Sequence, residues 1–399
     1  MDRRRVEATA ACAAVRVLVT DGESRAALAC VRALGARGHT VHVAAARARS
    51  LAGASRFASG EHAVGDAGVD PRGTAERLVA TASRIGADLI LPVTEVSLGS
   101  IYAYGVRERC AVACPEEEAY ALAVDKYRLL REAAELGLEV PTMEHYEDPG
   151  ALEGLPEPFR YPVVLKARRS RFLRDGRWVV GEVRVVGSDA QLVQARTAPG
   201  FSGGVLLQEF VPGHGEGVFL LTDAGRPLAC FAHRRLREKP PWGGVSVVSE
   251  SIAPDPALRA GSERLLEALR WSGVAMIEFR RAPSGRAVLM EMNPRLWGSL
   301  QLAIDAGVDF PSLLVDLWRG ETIGPVHPAV GTRTRWLLGD LDHLWICLRR
   351  PAVRRERGLS VAALLAGFVR SFFDGSRLEV LRRDDPRPFL RELLGRLRG

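Results

Sequence analysis

Two short apolar strands joined by Pro283, Ser284 and Gly285 constrain this chain more than any other feature. The first runs from Val274 to Phe279 and the second from Ala287 to Asn293. Each carries a glutamate among hydrophobic neighbours: Glu278 beside Met276 and Ile277, and Glu291 between Met290 and Met292. With Ser284 and Gly285 as the hairpin loop, Glu278 faces Glu291 and Met276 faces Asn293. Side chains alternate along a strand, so Glu291 and Asn293 share a face and Glu278 joins them across the ladder. Like charges set opposite one another are destabilising, and apolar flanks keep water from screening them. A hard divalent cation with oxygen ligands resolves the conflict, and Mg²⁺ characteristically shares carboxylates with substrate phosphates. The plainer alternative is an exposed acidic strand pair whose register lies one residue away.

Lysine and asparagine are nearly absent. Of 55 basic residues only Lys126, Lys166 and Lys239 are lysines, and Asn293 is the one asparagine. Arginine carries the surface charge, so each remaining lysine is a candidate for a place where arginine fails. An ammonium is a compact point charge that a planar guanidinium cannot imitate in a tight phosphate pocket. Lys126 falls in the first turn of a helix that Asp125 caps and Gly137 stops, where a cation opposes the helix dipole unless it faces an anion. Lys166 ends the apolar strand from Tyr161, where an unpaired ammonium is costly. Taken singly, a surface-turn lysine and a snorkelling strand-end lysine are the ordinary readings.

The rest of the chain supplies the frame. A strand at Val15–Val19, a helix from Ser24 to Gly38, a strand at Thr40–Ala44, a helix at 73–85 and a strand at Asp88–Val93 alternate as in a parallel sheet covered by helices. The first turn, Thr20 to Gly22, holds one glycine and no GxGxxG, so a dinucleotide site is not supported. From about Pro115 strands and helices mix without regular alternation, which reads as α+β, and from about Pro325 the pattern is mainly helical. Residues 333–399 hold 15 arginines against 8 acidic residues, whereas the remainder balances at 40 against 40. Such a tail fits nucleic acid, an anionic membrane surface or the solvated face of a helical cap, and the last is the expectation here. A basic start, Met1 to Arg5, precedes a weak apolar stretch from Ala8 to Ala14, so no signal peptide is expected. No apolar run approaches the ~18–20 residues that span a bilayer. Six cysteines without metal spacing read as reduced thiols of a cytoplasmic protein.

Taken in order, the segments Asp125–Arg128, Pro162–Lys166, Gln208–Gly213, Ile277–Phe279 and Glu291–Arg295 resemble the ATP-grasp superfamily, with coverage from about Val15 to Gly320. The resemblance implies α/β and α+β architecture: a Rossmann-like domain at 1–114, a two-lobed ATP-grasp domain at 115–325, and outside the common core a basic, mainly helical extension at 326–399. It implies that Lys126 and Lys166 hold the ATP phosphates, that Gln208, Glu209 and the Val211 backbone clamp adenine, and that Glu216 holds the ribose. Glu278, Glu291 and Asn293 become ligands of Mg²⁺, or of Mn²⁺ in its place, and Arg295 with Lys166 steadies the transferred phosphoryl and acyl groups. Arg235, Arg237 and Lys239, in a segment that otherwise reads as an ordinary basic loop, are candidates for substrate contact.

The activity implied is that of a ligase. A carboxylate is activated as an acyl-phosphate and passed to an amine, with release of ADP and phosphate. An ATP-grasp phosphotransferase with a stable phosphorylated product is the alternative, and a nucleotide-binding regulator is disfavoured by the complete Glu278, Glu291, Asn293 and Arg295 set. The expected partners are a small carboxylic acid and an amine rather than nucleic acid, with a homodimer left open. One departure stands out. The segment after Lys166, which in this family is a Gly/Ser-rich loop over the phosphates, reads Ala167 to Arg177 with five arginines and one glycine.

Overall fold

The computed structural model describes residues 14–356 and 358–398. The basic start and residues 8–13 of the apolar stretch therefore lie outside the described residues. The chain opens with parallel strands β1 (Arg16–Val19), β2 (Thr40–Ala45), β3 (Gly60–Ala63) and β4 (Leu89–Leu91), ordered β3-β2-β1-β4. Helices α1 (Arg25–Ala36), α2 (Pro71–Ile85) and α3 (Glu95–Ala103) alternate with them. Each starts where a polar side chain satisfies a free amide of the first turn: Ser24 for Ala27, Asp70 for Gly73, Thr94 for Ser97. Gly22 lies where β1 hands over to α1, and an added Cβ would meet Ser50 Oγ and Val43 Cγ1 at 2.6 Å. The expected α/β alternation is therefore present, with its helix starts set by capping chemistry.

Helices α4 (Glu117–Ala123) and α5 (Lys126–Glu135) lead into an antiparallel sheet of β5 (Met143–Tyr146), β6 (Val163–Ala167), β9 (Val183–Val186) and β10 (Val205–Glu209), ordered β5-β10-β6-β9. Between β6 and β9 the arginine-rich segment forms a hairpin, β7 (Arg171–Arg174) with β8 (Arg177–Val180), and not the loop expected from the sequence. Alternation at Phe172, Trp178 and Val180 outweighs the arginines. Trp178 docks on α3, where its Nε1 donates to Ser100 Oγ at 3.3 Å and its ring takes the space a Cβ of Gly99 would need. Helix α6 (Asp189–Arg196) completes this lobe.

The larger lobe is a seven-stranded sheet ordered β15-β14-β11-β12-β13-β16-β17. Its strands are β11 (His214–Asp223), β12 (Arg226–Lys239), β13 (Val245–Ile252), β14 (Gly273–Arg281), β15 (Ala287–Asn293), β16 (Arg333–Arg335) and β17 (Arg377–Leu378). Helices α7 (Pro256–Ala268), α8 (Leu300–Asp305) and α9 (Phe310–Trp318) pack on it. Two expectations change here. The basic segment beginning at His233 lies in the long strand β12 as far as Lys239, and the C-terminal region adds β16 and β17 to the sheet in place of a separate helical cap. The remainder of that region is helical, as expected: α10 (Leu337–Arg349), α11 (Pro351–Glu356), α12 (Val361–Arg370) and α13 (Arg387–Arg398). Among the described residues no helix is long and apolar enough to cross a membrane, and Cys30, Cys110, Cys114, Cys230 and Cys347 are free thiols.

The β14–β15 register repays attention. Glu278 pairs with Glu291 and Met276 with Asn293, as the sequence predicts, yet near the turn the pairing is Phe279 with Leu289 and Arg281 with Ala287. The loop is one residue longer than Ser284-Gly285, and a β-bulge at Met290 restores the register at the glutamates. Two offsets of one residue cancel. The bulge also rephases β15, so Leu289 and Met292 both enter the same core while Glu291 and Asn293 turn the other way.

One hydrophobic core joins the first sheet to the large one, including Val17 and Val43 from the former, Phe219 and Phe231 from the latter, and Val380. Beside it Arg32 of α1 is buried, and residues 379–385 accept four hydrogen bonds from it. Its Nε meets Asp385 Oδ2 at 2.8 Å, and its other nitrogens donate to the carbonyls of Glu379, Val380 and Asp385 at 2.8–3.0 Å. Removing one partner of a buried pair strands the other charge, typically at ~3–5 kcal/mol. Asp385→Ala is therefore expected to lower unfolding free energy in urea by about that amount, whereas Asp384→Ala, in an exposed pair with Arg56, should change it by less than about 1 kcal/mol. Equal effects would contradict this account of the contact.

Candidate active site

Three elements bring their charged groups to one point. Lys126 stands at the first position of α5, below the Asp125 cap, Lys166 near the end of β6, and Glu291 on β15. Glu291 Oε2 lies 3.1 Å from Lys166 Nζ and 3.6 Å from Lys126 Nζ. Lys166 also donates to the carbonyl of the bulged Met290 at 3.3 Å, and Lys126 to Ser170 Oγ at 2.5 Å. Both lysines are buried. Burial would raise the Glu291 carboxyl, but Lys166 and Lys126 outweigh it and hold it well below the usual carboxylate range. Burial pulls the Lys126 ammonium down, against the attraction of Glu291. Both lysines thus do face an anion, and in this structure it is Glu291.

The like-charge conflict across the hairpin is met by cations of the chain itself. Glu278 Oε2 accepts from Arg235 at 2.6 Å, and Arg235 also reaches Glu238 at 3.1 Å. Asn293 Oδ1 accepts from Arg295 at 2.9 Å, and Arg295 further donates to the carbonyl of Leu296. Arg171 donates to the carbonyl of Ser170. Among the described residues neither Arg295 nor Arg171 has a carboxylate partner, so the cluster keeps positive charge to offer an anion. The oxygens of Glu278, Glu291 and Asn293 lie together on one strand pair and form a donor set suited to a hard cation such as Mg²⁺.

The other predicted residues divide. Gln208 is fully buried, and neither its amide nitrogen nor its oxygen has a hydrogen-bond partner, an arrangement that costs free energy in the ligand-free fold. Glu209 is held by Arg286 at 2.8 Å and accepts from the Thr142 amide, and the Val211 carbonyl accepts from Arg280 at 2.7 Å. Glu216, the expected ribose ligand, is buried against Arg281 at 2.6 Å. Arg237 and Lys239 are not brought to the cluster. Arg237 pairs with Asp340 at 2.7 Å and Lys239 with Asp342 at 2.5 Å, both on α10. A bulge in β12 at Leu236 turns Arg237 and Lys239 to the other face from Arg235, and a second, in β13 at Val247, shifts the pairing after Arg237.

A cavity of about 1020 Å³ opens beside Glu291, Asn293 and Arg295. Its second wall is the carboxyl end of the first sheet, with Thr20 and Asp21 after β1 and Thr94 and Glu95 at the start of α3. That is the point where the strand order reverses, the usual ligand crevice of open parallel sheets. Asp21, at φ 60°, ties the two turns together: its carboxylate accepts from Thr94 Oγ1 at 2.8 Å, Ser97 Oγ at 2.7 Å and the Thr94 amide at 3.0 Å. Glu95 lines the same cavity, its carboxyl raised by burial against the pull of Lys126 and Arg295. Trp336, Arg391 and Glu392 of the C-terminal region form the third wall. Sequence reading missed this wall and the Asp21 clip. The Thr20–Gly22 turn after the first strand was the available signal for the clip.

Comparison with known proteins fits this geometry. Residues 203–339 match the family model described as an ATP-grasp in the biosynthetic pathway with Ter operon. Among solved structures, the biotin carboxylase domain of the Hydrogenobacter thermophilus 2-oxoglutarate carboxylase, in complex with MgADP, ADP and bicarbonate, superposes with a TM-score of 0.63. It is 17% identical, over 80% of this chain and 73% of that one. The L-amino acid ligase from Bacillus licheniformis gives 0.62 at 14% identity, over 81% and 80%. N5-carboxyaminoimidazole ribonucleotide synthetase from Thermotoga maritima gives 0.59 at 19%, over 80% and 79%. No curated protein matches by sequence. The chain carries the ATP-grasp fold, preceded by the α/β domain expected for it.

Replacing an unsatisfied buried amide by an apolar group of similar shape is neutral or stabilising, because a desolvation penalty of ~1–3 kcal/mol disappears. Gln208→Met should therefore leave the ligand-free protein as stable as wild type, or more stable by up to that amount, in a thermal melt. A clear loss of stability would show that the amide has a partner in solution.

Proposed function

We propose that this chain is an ATP-dependent ligase that activates a carboxylate as an acyl-phosphate and transfers the acyl group to an amine. The observation that carries the reading is the convergence of Lys126 and Lys166 on Glu291, which with Asn293 and Arg295 lines a cavity of about 1020 Å³. The two ammonium groups would hold the nucleotide phosphates, and the unpartnered amide of Gln208 would meet the adenine edge. The peptide edge near Glu209 and Val211 lies alongside it, while Glu216 stays with Arg281. Glu278, Glu291 and Asn293 would hold Mg²⁺, which when bound neutralises charge on the phosphate oxygens. The division into 1–114, 115–325 and 326–399 is read in the same way, with the last part contributing a cavity wall.

The chain's own groups then act by position and charge. As phosphates arrive, Lys126 and Lys166 exchange Glu291 for the incoming anion and release its carboxylate toward the cation site. Arg295, anchored by Asn293 and the Leu296 carbonyl, steadies the charge on the transferred phosphoryl oxygens and then the oxyanion that forms when the amine adds to the acyl-phosphate carbon, before phosphate leaves. The walls beyond it would seat the acid and the amine out of bulk water. The likeness to a carboxylase domain bound to MgADP and to an amino acid ligase supports this assignment.

Lys166→Arg preserves charge but not shape, since the planar fork does not fit the space of an ammonium. It is expected to lower turnover roughly 10²–10³-fold, the usual effect of losing one preorganised contact to a transferring group. Wild-type enzyme supplied with ATP, Mg²⁺ and pooled carboxylic acids and amines should yield ADP and free phosphate in step with amide. Chromatography that finds AMP and pyrophosphate would replace the acyl-phosphate with an adenylate. A stable phosphorylated product without phosphate release would instead make the protein a phosphotransferase.

A further inference from the structure

The helices after β16 carry more apolar surface than the fold uses. Helix α12 packs Leu364 and Phe368 against Leu344 and Cys347 of α10, yet the flank beside them exposes Val361, Leu365 and Val369, followed by Phe372 and Phe373. Phe373 is 84% exposed. Helix α13 exposes Leu390, Leu394 and Leu397 along one stripe, and α10 exposes Leu341 and Trp345. A helix that is apolar on more than one side normally has something covering it, and a patch of this extent marks an interaction surface.

The surrounding charge and shape select what covers it. Many arginines of this segment pair inward, but Arg349 and Arg350 have no carboxylate partner among the described residues, so two copies brought together here would set like charges against each other. Arg349 lies over the ring of the exposed Trp345 at 4.3 Å, and Arg350 over the exposed Trp242 at 4.9 Å. Tryptophan with arginine is the pairing that settles at a membrane–water boundary, where a ring meets acyl carbon and a guanidinium meets phosphate. An apolar cavity of about 290 Å³, lined by Leu341, Leu344, Trp345 and Leu348 with Arg396 beside them, opens in the same region. Its apolar side suits a hydrocarbon chain, while Arg396 itself is held by Asp342 and the Leu338 carbonyl.

We propose that this face docks the protein peripherally on an anionic lipid surface, with α12, α13, Trp242 and Trp345 in the headgroup layer and the arginines on lipid phosphates. The reading is independent of the reaction. It also revises the expectation that the basic tail is only a solvated cap.

The test is co-sedimentation of the full chain with phosphatidylcholine vesicles and with equimolar phosphatidylcholine–phosphatidylglycerol vesicles at ~0.1 M salt, where surface charges are still felt over about 10 Å. Binding at least about tenfold stronger to the anionic vesicles is expected, since each basic side chain near such a surface contributes about fivefold. Arg349→Gln with Arg350→Gln should weaken it about 25-fold on the same scale. Phe373→Ser, an exposed change that leaves the fold's melting curve in place, should weaken binding to the anionic vesicles severalfold. Equal binding to both vesicle types, binding to neither, or variants that bind like wild type would overturn the proposal. So would gel filtration showing a wild-type dimer that Phe373→Ser converts to monomer, which assigns the face to a second copy.

Discussion

Lys126 and Lys166 converge on one carboxylate, and much of the architecture serves that meeting. Lys166 belongs to the small antiparallel sheet, Glu291 to the large sheet, and Lys126 to the helix that precedes both. The contact is therefore a clasp between lobes as well as a charge pair. Buried ion pairs contribute little net stability, because desolvation offsets the attraction. What this one does is fix a geometry: it holds two ammonium groups side by side that would otherwise repel. Any polyanion that enters must compete with Glu291 for the same cations, so ligand binding and the relation between lobes are thermodynamically coupled.

Three distant stretches of chain share the space beside that clasp. The turn at Asp21 and the start of α3 come from the first sheet, Asn293 and Arg295 follow the hairpin, and Trp336 with Arg391 and Glu392 come from the last part of the chain. The C-terminal wall is secured on β12, where Arg237 and Lys239 are tied to α10. Those two side chains fix the wall from behind and do not face the cavity.

Much of this was legible in the sequence because it rests on local pattern. Alternation of strands and helices marked the first domain, a capping aspartate marked α5, and scarcity of lysine drew attention to Lys126 and Lys166. The glutamate pairing was read from a hairpin with the wrong loop length, and the bulge at Met290 concealed the error. What escaped notice depends on distant contacts. The β7–β8 hairpin reads as a loop because its arginines mask Phe172 and Trp178, whose partners lie at Gly203 and at Gly99 and Ser100. Glu216 fits the family pattern for a ribose ligand, yet in this structure Arg281 across the sheet claims it. No window of residues reveals a partner 65 positions away.

The setting of Arg32 bears on how the protein comes into being. This guanidinium is buried in the first helix, and its acceptors all lie between Glu379 and Asp385, about 350 positions later. During synthesis the first sheet emerges early, at a time when Arg32 has water for company and no carboxylate. That contact therefore closes only after residues 379–385 have been made, and Arg391 and Glu392 of the third wall follow them. Of the three walls around the cavity the C-terminal one is made after the other two, and a chain stopped before Trp336 lacks it.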